Sequence, residues 1–171
     1  MRNVLLVFLV LTAFQSSAQR DEKNMPATFD SIVFYDYNDD RGSKDNRIID
    51  HAGKLDNSVK KSFRADPALA AKLNEMLKRK DSFGVTGASC FEPHLGIVYY
   101  LDGKPISSIN VCMDCNRLYA DFRIKAQEQG KNGKGENTYY VLNGMSGKLR
   151  DFLNEQLILH NFSHQAEKYN E

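Results

Sequence analysis

Three cysteines and one histidine carry the most distinctive chemistry in this 171-residue chain. Cys90 and His94 bracket PheGluPro, and Cys112 and Cys115 bracket MetAsp. Thiolates and imidazole are the ligands of tetrahedral zinc. A CxxC closed over a tight turn can put both sulfurs on one ion, so Cys90, His94, Cys112 and Cys115 form a candidate structural zinc site. Distance opposes it: in an extended strand Cys90 and His94 stand about 13 Å apart, and only a bend at Pro93 brings the imidazole in. Cys112 and Cys115 must also leave the strand, because within it they point to opposite faces. The competing chemistry is a disulfide. A Cys90 to Cys115 bond requires α-carbons within roughly 4.4 to 6.8 Å and leaves Cys112 as a buried thiol. A Cys112 to Cys115 bond would instead make a redox dithiol, whose reactivity depends on a lowered thiol pKa. Asn116 stands where haem attachment needs a histidine, which excludes that chemistry.

These residues can meet only if the chain between them reverses. AspGly at 102 and 103, set between alternating apolar and β-branched runs, is a strong signal for a two-residue hairpin turn. Counting outward from that turn predicts Leu101 opposite Lys104, Tyr99 opposite Ile106, Ile97 opposite Ser108, His94 opposite Val111 and Cys90 opposite Cys115. A further strand is expected from Leu118 to Ile124, so the CxxC does not open a helix as it does in thioredoxin-like folds. Phe29, Ile32, Val33, Phe34, Tyr35 and Tyr37 predict a strand over about 28–37. Asp66 and Pro67 announce a helix with Leu69, Leu73, Met76 and Leu77 at helical spacing, ending near Lys80. Ser146 is placed to cap a last helix bearing Leu149, Phe152, Leu153 and Leu157. Tyr139 to Leu142 suits a short strand. Segments 38–65 and 126–137 read as polar loop excursions, the first with a minor hairpin around Ile48 and residues 51–54. The sum is a single α+β domain over 19–171, an antiparallel β-sheet with two helices packed on one face.

Composition bounds the function. With 42% apolar and 26% charged residues and only 4 Pro, the chain is globular in type. Lys plus Arg number 23 against 22 Asp plus Glu, a balance that argues against nucleic-acid binding. Arg2, the apolar run Val4 to Phe14 and the small residues Ser16 and Ala18 read as a secretory signal peptide cut after Ala18. No later apolar run approaches membrane-spanning length. The expected destination is the periplasm or the extracellular space, where disulfides persist.

The stretch AlaSerCysPheGluProHisLeuGlyIleValTyrTyrLeuAspGlyLysPro, followed by IleAsnValCysMetAspCysAsnArgLeuTyr, resembles a family of exported, uncharacterised bacterial proteins. In that family a CysPheGluProHis element and a CxxCAsn element flank a β-hairpin. The resemblance implies export and this fold, with Cys90, Pro93, His94, Cys112, Cys115 and Asn116 at the motif positions, and it carries no activity with it.

Other motifs read as structure. Asp36, Asn38 and Asp40 begin like a calcium loop, but Arg41 and Arg47 replace its glycine and glutamate. GlyMetSerGlyLys at 144–148 lacks the earlier glycine of a phosphate loop, and Leu149 stands in place of its Ser or Thr. No GxSxG occurs, and His51, His160 and His164 lie in polar segments as surface histidines. Two functions follow as expectations. The first is a non-enzymatic exported module, contacting an unknown protein or small molecule in the envelope, with the cysteine locus structural. A disulfide closing about 25 residues would stabilise it by ~3 kcal/mol. The second is a periplasmic thiol oxidoreductase or thiol-dependent metal-binding protein working through Cys112 and Cys115, with His94 tuning the thiolate.

Overall fold

The chain reverses where AspGly predicts. Asp102 and Gly103 take φ of 50° and 72°, the left-handed pair that a two-residue hairpin turn requires. They join β4 (Leu95–Leu101) to β5 (Lys104–Cys112). The computed structural model describes residues 23–37, 47–84, 91–133 and 139–166. The expected signal peptide, Cys90, and Asn38 and Asp40 of the calcium-like stretch lie outside the described residues.

The hairpin register departs from the simple count after one pair. Leu101 faces Lys104 as expected, and Tyr100 then faces Pro105, but Tyr99 faces Ser107 because a bulge leaves Ile106 as an extra residue. Pro105 brings no N–H to the ladder at this point, and prolines in sheets sit at such irregularities. Every later pair is shifted by one position: Ile97 faces Ile109 rather than Ser108, and Leu95 rather than His94 faces Val111. The count that set Cys90 opposite Cys115 loses its basis in the same step.

Around this hairpin lie β1 (Ser31–Asp36), β2 (Lys61–Arg64) and β6 (Arg117–Ala120). The five strands form one antiparallel sheet in the order β2-β1-β4-β5-β6. Two short ribbons accompany it: β3 (Phe83–Gly84) with β9 (Gly144–Met145), and β7 (Glu128–Asn132) with β8 (Tyr139–Leu142). The helices are α1 (Pro67–Lys78) and α2 (Gly147–Leu159), completing an α+β fold. Asp66 caps α1 by accepting from the Leu69 N–H at 2.8 Å, and Pro67 occupies the first helical position. Ser146 holds the equivalent place before α2 but makes no cap bond, and its hydroxyl is buried without a partner.

Two of the expected loops contain strands. β2 lies in the 38–65 excursion and covers the edge of β1, a row of unpaired backbone groups that would otherwise be open. β7 begins inside the 126–137 segment and pairs with β8. Both strands are mostly exposed and polar, so apolar alternation could not announce them.

Alternation divides the sheet into two apolar faces. Ile32, Phe34, Leu95, Ile97, Tyr99, Ile109, Val111 and Leu118 join the buried residues of both helices in the larger cluster. Tyr35 and Val98 point the other way and pack with Tyr37 and Ile48. Ile48, in the segment read as loop, is fully buried. It seats over Gly96, where an added Cβ would lie 2.6 Å from Ile48 Cβ and 3.0 Å from its Cγ2. Gly96 is therefore required for close approach rather than for a special backbone angle. Gly96→Ala should destabilise the fold by about 1 to 3 kcal/mol through overpacking, read as a lowered denaturation midpoint, whereas Gly103→Ala acts only through its positive φ.

Tyr99 is fully buried, with its hydroxyl donating to Asn74 Oδ1 at 2.8 Å. Burial pushes its phenol pKa well above the ordinary value. Burial, then the Tyr100 hydroxyl at 2.7 Å, does the same to Tyr35. The folded chain thus keeps protons that the unfolded chain releases. This contribution is intact below about pH 10 and is lost as pH rises beyond it. Denaturation followed across that alkaline range should show falling stability, with a smaller fall in Tyr99→Phe.

Candidate functional site

Cys112 ends β5 and pairs with Arg117 at the start of β6, so Met113 to Asn116 form a four-residue turn. That turn takes the CxxC out of the strand, as any joint use of its sulfurs requires. The backbone N–H of Cys115 donates to Cys112 Sγ at 3.4 Å. Asn116 closes the turn with φ of 53°, a left-handed angle that asparagine tolerates. Its amide donates to the Met145 carbonyl at 2.6 Å, and the Met145 N–H donates back to the Asn116 carbonyl at 3.0 Å. The turn is thereby bonded to β9. Met113 is fully buried in the main core, and its carbonyl lies 3.4 Å from Arg150 Nε.

Cys112 and Cys115 are each 1% exposed. Cys112 is a free, buried thiol in this structure. The turn brings the two together with the first sulfur accepting a backbone hydrogen bond. The Cys90 to Cys115 pairing, and the four-ligand set that includes Cys90, involve a position outside the described residues.

His94 stands immediately before β4, held by two backbone bonds. Its N–H donates to the Val111 carbonyl and its carbonyl accepts from the Tyr37 N–H, both at 3.1 Å. Its imidazole faces another histidine: the His94 and His164 rings stack at 4.0 Å and 21°. His164 Nε2 lies 2.8 Å from Oδ2 of Asp114, the exposed residue inside the CxxC. The ligand atoms of His94, Asp114 and His164 all fall within 4.8 Å of one another. Among the described residues this is the group of three that could share an ion, and Cys112 and Cys115 are not in it.

His164 and His160 are thus not simple surface histidines, for His160 stacks on Phe63 at 3.5 Å and 10°. The spacing of His164 along the chain carried no signal of this, because its partners come from another part of the fold. Asp114 was visible only as a filler between cysteines. The 144–148 segment serves structure: the Ser146 N–H donates to the Ser82 carbonyl at 2.9 Å, and Lys148 reaches Asp81 at 3.1 Å.

A separate cleft of about 410 Å³ opens beside β5 and β6. Arg47, Asp50, Phe91, Ser108, Asn110 and Tyr119 are among its walls. Phe91 and Tyr119 meet edge to face at 4.6 Å and 68°. Asn110 is fixed from below, its Oδ1 accepting from the Ile48 N–H at 2.7 Å and the Tyr37 hydroxyl at 3.2 Å.

A thiol this deeply enclosed reacts only when the turn opens. Labelling of Cys112 in the native protein, followed by peptide mass mapping, should be slower than in the unfolded chain by on the order of 100-fold or more. A native rate near the unfolded one would mean that the turn is open in solution. The chain matches no family model, no curated protein and no solved structure.

Proposed function

We propose that this protein is an exported binding module in which the cysteine turn is structural and the cleft beside β5 and β6 receives the ligand. The burial of Cys112 and Cys115 carries this reading. A thiol oxidoreductase must present its attacking sulfur to a partner disulfide in an electropositive, partly exposed setting. Here the neighbouring Met113 belongs to the hydrophobic core, and a backbone N–H donates to Cys112 Sγ. That arrangement favours holding a turn over exchanging electrons. Export rests on the signal-like segment ending at Ala18 and on the resemblance of the CysPheGluProHis and CxxCAsn elements to exported bacterial proteins.

The cleft has the size of small-ligand sites, which run from roughly 300 to 1,000 Å³. Phe91 and Tyr119 provide flat apolar wall, while Arg47, Asp50, Asp121 and Ser108 provide charges and a hydroxyl. The set suits a small polar molecule that carries a ring, placed against the aromatic pair and oriented by the hydrogen-bonding groups. Screening soluble aromatic and sugar fragments by amide NMR should give shifts clustered at Phe91, Ser108, Asn110 and Tyr119. Tyr119→Ala should weaken the best fragment by about tenfold. The same protein should not accelerate disulfide exchange. Shifts confined to other surfaces would refute the cleft, and catalysed exchange lost in Cys112→Ser would refute the structural role of the turn.

A further inference from the structure

We infer that His94, Asp114 and His164 form a binding site for a divalent transition-metal ion such as Zn²⁺, distinct from a cysteine-ligated set and independent of the cleft. Two imidazoles and one carboxylate are a donor set that suits zinc and its neighbours, and three protein ligands with one open position is a recurrent zinc arrangement. The ligand atoms already lie within 4.8 Å of one another. Bonds of 2.0 to 2.2 Å in a tetrahedron set ligand atoms about 3.4 Å apart, so side-chain rotation would have to open the 2.8 Å contact of His164 with Asp114 while bringing His94 in. The Asp114 side chain is 61% exposed and that of His164 is 31% exposed, so the fourth position would face water.

Each ligand is delivered by backbone that is fixed independently of any ion. His94 is tied on both sides to β5 and to the end of β1 by its two backbone bonds. Asp114 sits in the turn clamped by Asn116 and Met145. His164 lies in the segment after α2, which is secured on either side of it. Asp36 accepts from the Ser163 N–H at 2.6 Å and from its hydroxyl at 2.8 Å. Asn154 exchanges two 2.8 Å bonds with the backbone of Ala166. Such preorganisation is what a metal site requires of its scaffold.

One atom is not explained by ordinary packing. His164 Nε2 is screened from solvent and lies 2.8 Å from the Asp114 carboxylate, yet it makes no aligned hydrogen bond. A carboxylate and an imidazole nitrogen brought this close, out of line with each other, are placed as two ligands converging on a third body. The alternative is an ion pair between His164 and Asp114, with His94 stacked over it.

Calorimetric titration of the chelator-treated protein with ZnCl₂ separates these possibilities. The expected result is one ion per chain, with affinity reduced at least tenfold in His164→Ala and in Asp114→Asn and unchanged in Cys112→Ser. Cobalt substitution should give visible ligand-field bands without an intense thiolate charge-transfer band. Absence of zinc binding by the folded wild-type protein would overturn the site and leave the ion pair. Binding that survives His164→Ala, or a thiolate band from cobalt, would equally overturn it and return the metal to the cysteines. Circular dichroism of each variant, compared with wild type, distinguishes a lost ligand from a lost fold.

Discussion

The bulge at Ile106 is the constraint on which the rest of the sheet depends. An antiparallel pair alternates its faces with period two, so one extra residue changes which side chains of β5 meet which side chains of β4. With the bulge in place, Ile97 meets Ile109 and Leu95 meets Val111, apolar against apolar within the larger cluster. Without it, Ile97 would meet Ser108 and the two apolar stripes would fall out of step. The irregularity beside Pro105 thus reconciles the turn chemistry of Asp102 and Gly103 with the hydrophobic pattern of the two strands.

The second face of the sheet follows from the same alternation. Val98 and Tyr35 are presented away from the larger cluster, and the 47–59 segment supplies their cover through Ile48, Ile49, Leu55 and Val59. This cover is held to the sheet by polar groups as well as apolar ones. The Asn110 amide oxygen takes the Ile48 N–H, and Tyr37 bonds to the same atom. Gly96 lets the isoleucine sit directly on the strand. The floor of the cleft and the packing of the second face are therefore one structure, because Asn110 belongs to both.

What was legible in the sequence is what is decided locally. Asp66 with Pro67 and Asp102 with Gly103 act through their own backbone angles and caps, and the structure places a helix start and a turn at those positions. The apolar spacing of Leu73, Met76, Leu77, Leu149, Leu153 and Leu157 likewise gave the helices and their buried sides. β2 and β7 were illegible because LysSerPheArg and GluGlnGlyLysAsn become strands only through the neighbours that pair with them. Ser146 was legible in position and not in its bonding, since the burial of its hydroxyl is a tertiary matter. The His94, Asp114 and His164 grouping draws on a strand entrance, a turn and a tail. No spacing rule joins those three.

The two hydrogen bonds that Ser163 donates to Asp36 join positions 127 apart in sequence. Closing so long a loop costs chain entropy, which the contacts of the docked segment must offset. His164 travels with it. Whatever the paired histidines do, they do it only when the segment after α2 is docked against the end of β1.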